Sequence, residues 1–165
     1  MMKRSLATVV ILALIVPAIA EEKSELIGTQ ALPISLFKLS DNKYFRSKDL
    51  LGKKNLVVSF FATWCVPCRA EHNYIKSLSN KGIKIIGINY KDDPKEAIKW
   101  LKELGNPYSD VAVDSNGSIA IDWGVYGIPE SFIVNTKKII QHRHVGPITK
   151  EEYNEFYLKI LKNKD

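Results

Sequence analysis

The sequence predicts an α/β domain: a central mixed β-sheet flanked by helices on both faces, preceded by an amino-terminal hairpin. Three observations carry this. Residues 56–62 (LVVSFFA) and 83–90 (IKIIGINY) are apolar runs of the kind found in strands covered on both faces. Each is followed by a segment with helical start and stop signals. Two further strand candidates joined by a tight turn precede a capped carboxy-terminal helix, and strands alternating with helices require a sheet between helical layers.

The first twenty residues stand apart from that domain. Lys3 and Arg4 precede an uncharged run at 5–20, which stops at Glu21 and Glu22, the layout of an export signal. A membrane-spanning helix needs about 20 apolar residues, and this shorter run carries Pro17 near its end. Ala18-Ile19-Ala20 offers small residues where a signal peptidase reads, so cleavage before Glu21 is expected, with retention as a signal anchor the alternative. Residues 21–33 read as a flexible lead-in and 34–165 as one domain.

Within that domain, 34–39 and 43–46 flank the turn residues Ser40, Asp41 and Asn42 and form the hairpin. A helix should run from Cys65 or Val66 to about Asn80, with Gly82 just beyond it. Asp92 and Asp93 before Pro94 cap a second helix, where Ala97, Ile98, Leu101 and Leu104 recur before Gly105 ends it. Residues 111–113 form a short strand and 118–122 a single helical turn. Strands at 131–134 and 139–145 are joined through Asn135, Thr136 and Lys137. Thr149 and Glu152 form a capping box for a last helix, whose Tyr153, Phe156, Tyr157, Ile160 and Leu161 share one face.

Charge excludes one class of partner. The net charge is +6, and loss of residues 1–20 would leave +4 on 145 residues, spread over scattered lysines. No arginine stripe interleaved with aromatics is present, so nucleic acid is not expected as a partner. Export places the domain in an oxidising compartment.

The chain has two cysteines, Cys65 and Cys68, too close in sequence to close a large loop as a structural staple. Trp64-Cys65-Val66-Pro67-Cys68 falls where a buried strand ends and a helix begins. Cysteines three apart in a first helical turn lie on one side, within disulfide reach. Unpaired backbone N–H groups and the helix dipole favour the thiolate of Cys65, the species that attacks disulfides. Cys68, one turn in, should be more buried and act second. Cys65 would form a mixed disulfide with substrate, and Cys68 would then attack Cys65 and release the reduced product. Pro67 removes a donor and stiffens the loop. Two readings compete: inert core cysteines, or a zinc site using His72 with His142, His144 or a carboxylate. Covalent haem attachment would require histidine after the second cysteine, where Arg69 stands. His142 and His144 alternate on the last strand and read as structural or surface residues, and Trp100 and Trp123 as packing residues.

Five segments carry a resemblance: W-C-V-P-C, C-R-A-E-H (68–72), G-I-N-Y-K-D-D (87–93), W-L-K-E-L-G-N-P-Y (100–108) and G-V-Y-G-I-P-E-S-F (124–132). In this order and spacing they resemble the DsbE/CcmG group of thioredoxin-like thiol:disulfide interchange proteins over most of residues 26–150. The resemblance implies a thioredoxin-like fold with a central strand-helix insertion over about 83–104. It implies a cis bond between Ile128 and Pro129 facing the dithiol, with Ile128, Pro129 and Glu130 lining the surface where an extended substrate docks.

Where thioredoxin keeps a buried aspartate six residues before its first cysteine, this chain has Ser59. Glu71 matches an acidic residue the family holds beside the dithiol and would raise the thiol pKa values by repulsion; the plain alternative is a solvated carboxylate favouring the helix dipole. Ser131 replaces the family's usual threonine. The redox-tuning set is therefore Glu71, Trp64 and Pro67 around Cys65 and Cys68, with no cofactor or metal beyond the redox-active disulfide itself. The implied activity is reduction of the C-x-x-C-H disulfide of apocytochrome c during c-type cytochrome maturation. The implied setting is the periplasm, as a monomer free or anchored to the inner membrane, recharged by a membrane-embedded thiol donor. A general disulfide oxidant or isomerase, and a non-enzymatic apocytochrome or metal-binding chaperone, are the alternatives.

Overall fold

A computed structural model describes residues 25–41, 43–49 and 54–162. The export segment at 1–20 and the turn residue Asn42 lie outside them. The elements follow the expected order: β1 (Ser35–Lys38), β2 (Tyr44–Arg46), a 3-10 turn (Ser47–Asp49), β3 (Leu56–Phe61), α1 (Val66–Asn80), β4 (Lys84–Tyr90), α2 (Pro94–Leu104), β5 (Asp110–Asp114), α3 (Ser118–Asp122), β6 (Glu130–Val134), β7 (Ile140–Val145) and α4 (Lys150–Lys162). Their strands make one mixed sheet in the order β2-β1-β5-β4-β3-β6-β7.

β3, β4 and β5 are parallel neighbours. The two crossovers run in the same direction across the sheet, so right-handed connections put α1 and α2 on one face. α4 joins them there, burying Phe156 and Ile160 with Val57, Phe61, Ile75, Leu78, Ile85 and Ile133. The return from β5 to β6 crosses the other face. There α3 buries Ile119 and Ala120 with Val58, Phe60, Ile86, Ile88, Phe132 and Trp123. Every residue of β3 is buried, as a run apolar except at Ser59 requires. Phe60, Phe132 and Trp123 meet edge-on or tilted on the α3 face, while Phe61 stacks between Trp100 and Tyr108 on the other.

Gly87 on β4 is a close approach: a Cβ there would lie 2.8 Å from Phe61 Cε1 and 2.9 Å from Tyr108 Cγ. The lead-in departs from expectation. Gly28 and Ala31 donate to Ile140 O and Lys138 O, and Ile140 donates back to Thr29 O, so this stretch covers the entry to edge strand β7 instead of hanging free. Asp93, not Asp92, caps α2, accepting from Lys95 N and Glu96 N. The capping box of α4 forms as expected. No helix among the described residues is long and apolar enough to cross a membrane.

Candidate active site

The dithiol sits where β3 hands over to α1. Cys65 is the N-cap of α1 in extended conformation, and Cys68 N–H donates to its Sγ at 3.1 Å. That contact uses one of the orphan donors of the first turn. Pro67 occupies that turn, where its missing N–H costs nothing. Cys65 and Cys68 form a disulfide with Cα atoms 5.3 Å apart. Both are buried, nearly equally, so the expected gradient of exposure is slight; Trp64 and Val66 are exposed beside them.

The loop before α1 is held from the neighbouring strand. Asp92 accepts from Thr63 N and from Thr63 Oγ1, each at 2.7 Å, and from Asn89 Nδ2 at 2.8 Å. Trp64 Nε1 donates to Lys91 O, which fixes the indole over this junction. The paired aspartates were the only signal for this clamp in the sequence, and a single helix cap accounted for both.

Glu71 follows Cys68 by one helical turn, on the same face. It is only 2% exposed, which removes the reading of a solvated carboxylate. Its Oε2 accepts from Ile148 N at 2.8 Å. Burial pushes the carboxyl up to about 8, the Ile148 amide offsetting a little of that. Around neutral pH Glu71 therefore holds a proton, and repulsion of a thiolate begins only at higher pH. The buried Tyr108 lies near enough for the Glu71 charge to add to the burial that raises its hydroxyl pKa. Neither the tyrosine nor Gly87 beneath it stood out in the sequence as part of the site.

Across from the dithiol, the Ile128–Pro129 bond is cis, and Ile128 O lies 3.6 Å from Cys65 Sγ. Glu130 corrects an expectation. Strand alternation turns its side chain to the α3 face beside Phe60, where it is 1% exposed and ion-paired with Arg143. It cannot line a docking surface. Arg143 also donates to Gly124 O at 2.7 Å, so the pair braces both ends of the segment carrying Ile128 and Pro129. His72 is engaged too: its Nε2 donates to Gly105 O at 2.8 Å, and its ring packs on Trp100. His142 and His144 share one face, as expected, both against Phe156.

A disulfide-forming pair at a helix amino terminus, on a mixed sheet covered by helices on both faces, defines a thioredoxin-like thiol:disulfide oxidoreductase. The comparisons narrow this class. Residues 26–157 match the redoxin family. The chain is 42% identical over 134 residues to the thiol:disulfide interchange protein DsbE of Escherichia coli strain K12, covering 81% of this chain and 72% of that protein. It is 39% identical over 133 residues to DsbE of Haemophilus influenzae, covering 81% and 74%. A solved thiol:disulfide interchange protein of the thioredoxin family from Chlorobium tepidum superposes with a TM-score of 0.67 at 27% identity, over 81% of this chain and 97% of that one. A DsbF homologue from Corynebacterium diphtheriae shares the fold, with a TM-score of 0.71 at 18% identity, over 81% and 86%. The chain belongs to the redoxin family, within its DsbE-like group of thiol:disulfide oxidoreductases.

Proposed function

We propose that this chain is a dithiol reductant of the periplasm that reduces the C-x-x-C-H disulfide of apocytochrome c, with Cys65 the attacking and Cys68 the resolving thiol. The observation that carries the direction is the buried Glu71 one turn behind the dithiol. Strong oxidants of this fold are oxidising because a stabilised thiolate favours their reduced form. Here the group placed behind the pair is an acid with no ion-pair partner among the described residues; Arg69, two residues earlier on the helix, lies over the Trp100 ring. The substrate class rests on about 40% identity to proteins named DsbE and on the resemblance carried by the five sequence segments.

In the reaction, the Cys65 thiolate attacks a substrate sulfur and one substrate cysteine leaves as a thiol. Cys68 loses its proton, attacks Cys65 Sγ and releases the second substrate cysteine, leaving the Cys65–Cys68 disulfide. Glu71 gives up the proton it holds and takes that of Cys68, Trp64 and Pro67 hold the reactive turn, and the backbone at Ile128 and Pro129 receives the extended substrate. A membrane-embedded thiol donor restores the dithiol, and residues 1–20 bring the domain to that compartment.

Equilibration with glutathione buffers tests the direction. A potential below about −200 mV is expected, whereas one near about −120 mV, typical of strong oxidants, would overturn the reading. Cys68→Ser should trap apocytochrome c and the donor as mixed disulfides, and Cys65→Ser should abolish exchange. Unimpaired cytochrome maturation without either thiol would favour a chaperone.

A further inference from the structure

Glu71 raises a question its own neighbourhood answers. A carboxyl this buried, hydrogen-bonded to a backbone amide, has no direct contact with bulk water through which to shed a proton. The sheet beneath α1 carries one row without a large apolar side chain. Across β4, β3, β6 and β7 the cross-strand partners in that row are Gly87, Ser59, Ser131 and His144. The next row toward the strand ends is Ile85, Val57, Ile133 and His142. The two serines are at most 1% exposed, and neither hydroxyl has a hydrogen-bond partner. His144 Nε2 at the end of the row is likewise unpartnered.

Three unsatisfied buried polar atoms in one row are costly in a domain this size unless something joins them. Cross-strand neighbours stand about 5 Å apart at Cβ, a gap one water molecule bridges between hydroxyls. The row also has two distinct ends. At Gly87 the Tyr108 ring fills the space a side chain would take, and its hydroxyl approaches Ser59 without closing a bond. At the other end His144, its side chain 13% exposed, lines an open groove with Glu152, whose Oε2 is 3.9 Å from Nε2 and whose side chain is 46% exposed.

We propose that Ser59, Ser131 and His144 are positioning residues forming a proton route from Glu71 to the groove beside α4. The proposal rests on Glu71 being the proton acceptor for Cys68. As Cys68 forms its bond to Cys65 Sγ, Glu71 takes the thiol proton while the proton it already holds moves out along the serine hydroxyls and bridging water to His144, and leaves at Glu152 or to solvent. On reduction by the donor the same proton returns inward. The titratable groups facing the carboxyl are Cys68, one turn earlier on its own helix, and Tyr108 from the segment before β5. No cation is paired with it among the described residues.

The test is single-turnover resolution of a mixed disulfide on Cys65, followed by stopped flow from pH 6 to pH 10, in the full domain and in Ser59→Ala/Ser131→Ala, His144→Gln and Glu71→Gln. The double alanine variant and His144→Gln should resolve roughly tenfold more slowly near pH 6.5 and converge on the parent rate at high pH, where hydroxide takes the proton directly. Alkylation of Cys65, which precedes this step, should be unchanged. Ser131→Thr, which restores a hydroxyl, should recover the rate. Parent rates and pH profile in folded double alanine and His144→Gln variants would overturn the route. If Glu71→Gln alone were slow, the carboxyl would stand as acceptor with its exit elsewhere; if Glu71→Gln were also normal, the underlying reading would fall with it. Should an alanine variant not fold, the infrared band of the protonated Glu71 carboxyl in His144→Gln decides: an unchanged hydrogen–deuterium exchange rate of that proton overturns the route.

Discussion

Glu71→Gln isolates the energetic cost of the buried carboxyl. Its pKa moves from 4.5 to about 8 on folding, and at about 1.4 kcal/mol per pH unit that corresponds to about 5 kcal/mol. The sign follows from proton binding: the folded state holds this proton after the unfolded chain has released it. The contribution of Glu71 is therefore greatest below pH 4.5 and falls as pH rises toward 8, with about 3–4 kcal/mol of the loss between pH 5 and pH 8. Glutamine keeps an oxygen to accept from Ile148 N but carries no titrating proton, so the variant should lack this slope. Urea unfolding at intervals from pH 5 to pH 8.5, with both proteins oxidised so that neither cysteine titrates, measures the difference directly. The parent should lose about 3–4 kcal/mol over that range relative to the variant. Parallel stability curves, within about 0.5 kcal/mol, would refute the burial argument and the proton-holding role built on it.

Three further outcomes check other parts of the structure. Gly87→Ala should destabilise by about 1–3 kcal/mol, because its Cβ would overlap the Phe61 and Tyr108 rings; much of the loss should return in the double variant with Tyr108→Ala, measured by denaturant unfolding, and an additive pair would contradict the contact. Arg143→Met should cost about 3–5 kcal/mol at neutral pH by leaving the buried Glu130 carboxylate without its partner. Burial already raises the pKa of Glu130, so that cost should shrink in acid as the carboxyl takes a proton; equal losses at pH 5 and pH 8 would count against it. Burial also pushes His142 down to about 4. The unfolded chain then binds a proton that the folded state refuses, stability is lost as pH falls from about 6.5 to 4, and thermal melts of His142→Gln should show a flatter acid limb.

The parts legible in the sequence are those where one local rule dominates. The unbroken apolar run at 56–62 has no exposed face to serve, and β3 is buried throughout. Pro94 and Gly105 bracket α2 because one needs no N–H and the other adopts φ +85, which side chains resist. The dithiol was legible for the same reason: its chemistry needs a strand-to-helix junction. What stayed hidden depends on pairing between distant strands. Glu130 was assigned to the docking surface from its place beside Pro129, yet a one-residue step along a strand reverses a side chain. Its true partner, Arg143, is specified by the β6–β7 register and by nothing near it in sequence. Asp92 reads as a helix cap until β3 and β4 are laid side by side, when it becomes the clamp on Thr63.

The exchange of a strand carboxylate for a serine at position 59 is best understood with Glu71 in view. A buried acid on β3 would stand in the row that Ser59 shares with Ser131 and Gly87. Placed on α1 instead, the acid shares Tyr108 as a neighbour with Ser59 and is carried by the same helix as Cys68, so the spacing between thiol and carboxyl is set by helical geometry and not by how the helix packs on the sheet. The strand position is then left with a small hydroxyl, able to give and accept a proton but never charged. A carboxylate at position 59, across Tyr108 from Glu71, would oppose the ionisation of Glu71, as like charges sharing one site do. The serine avoids that repulsion while keeping the row polar, and the two positions are expected to tolerate change only together.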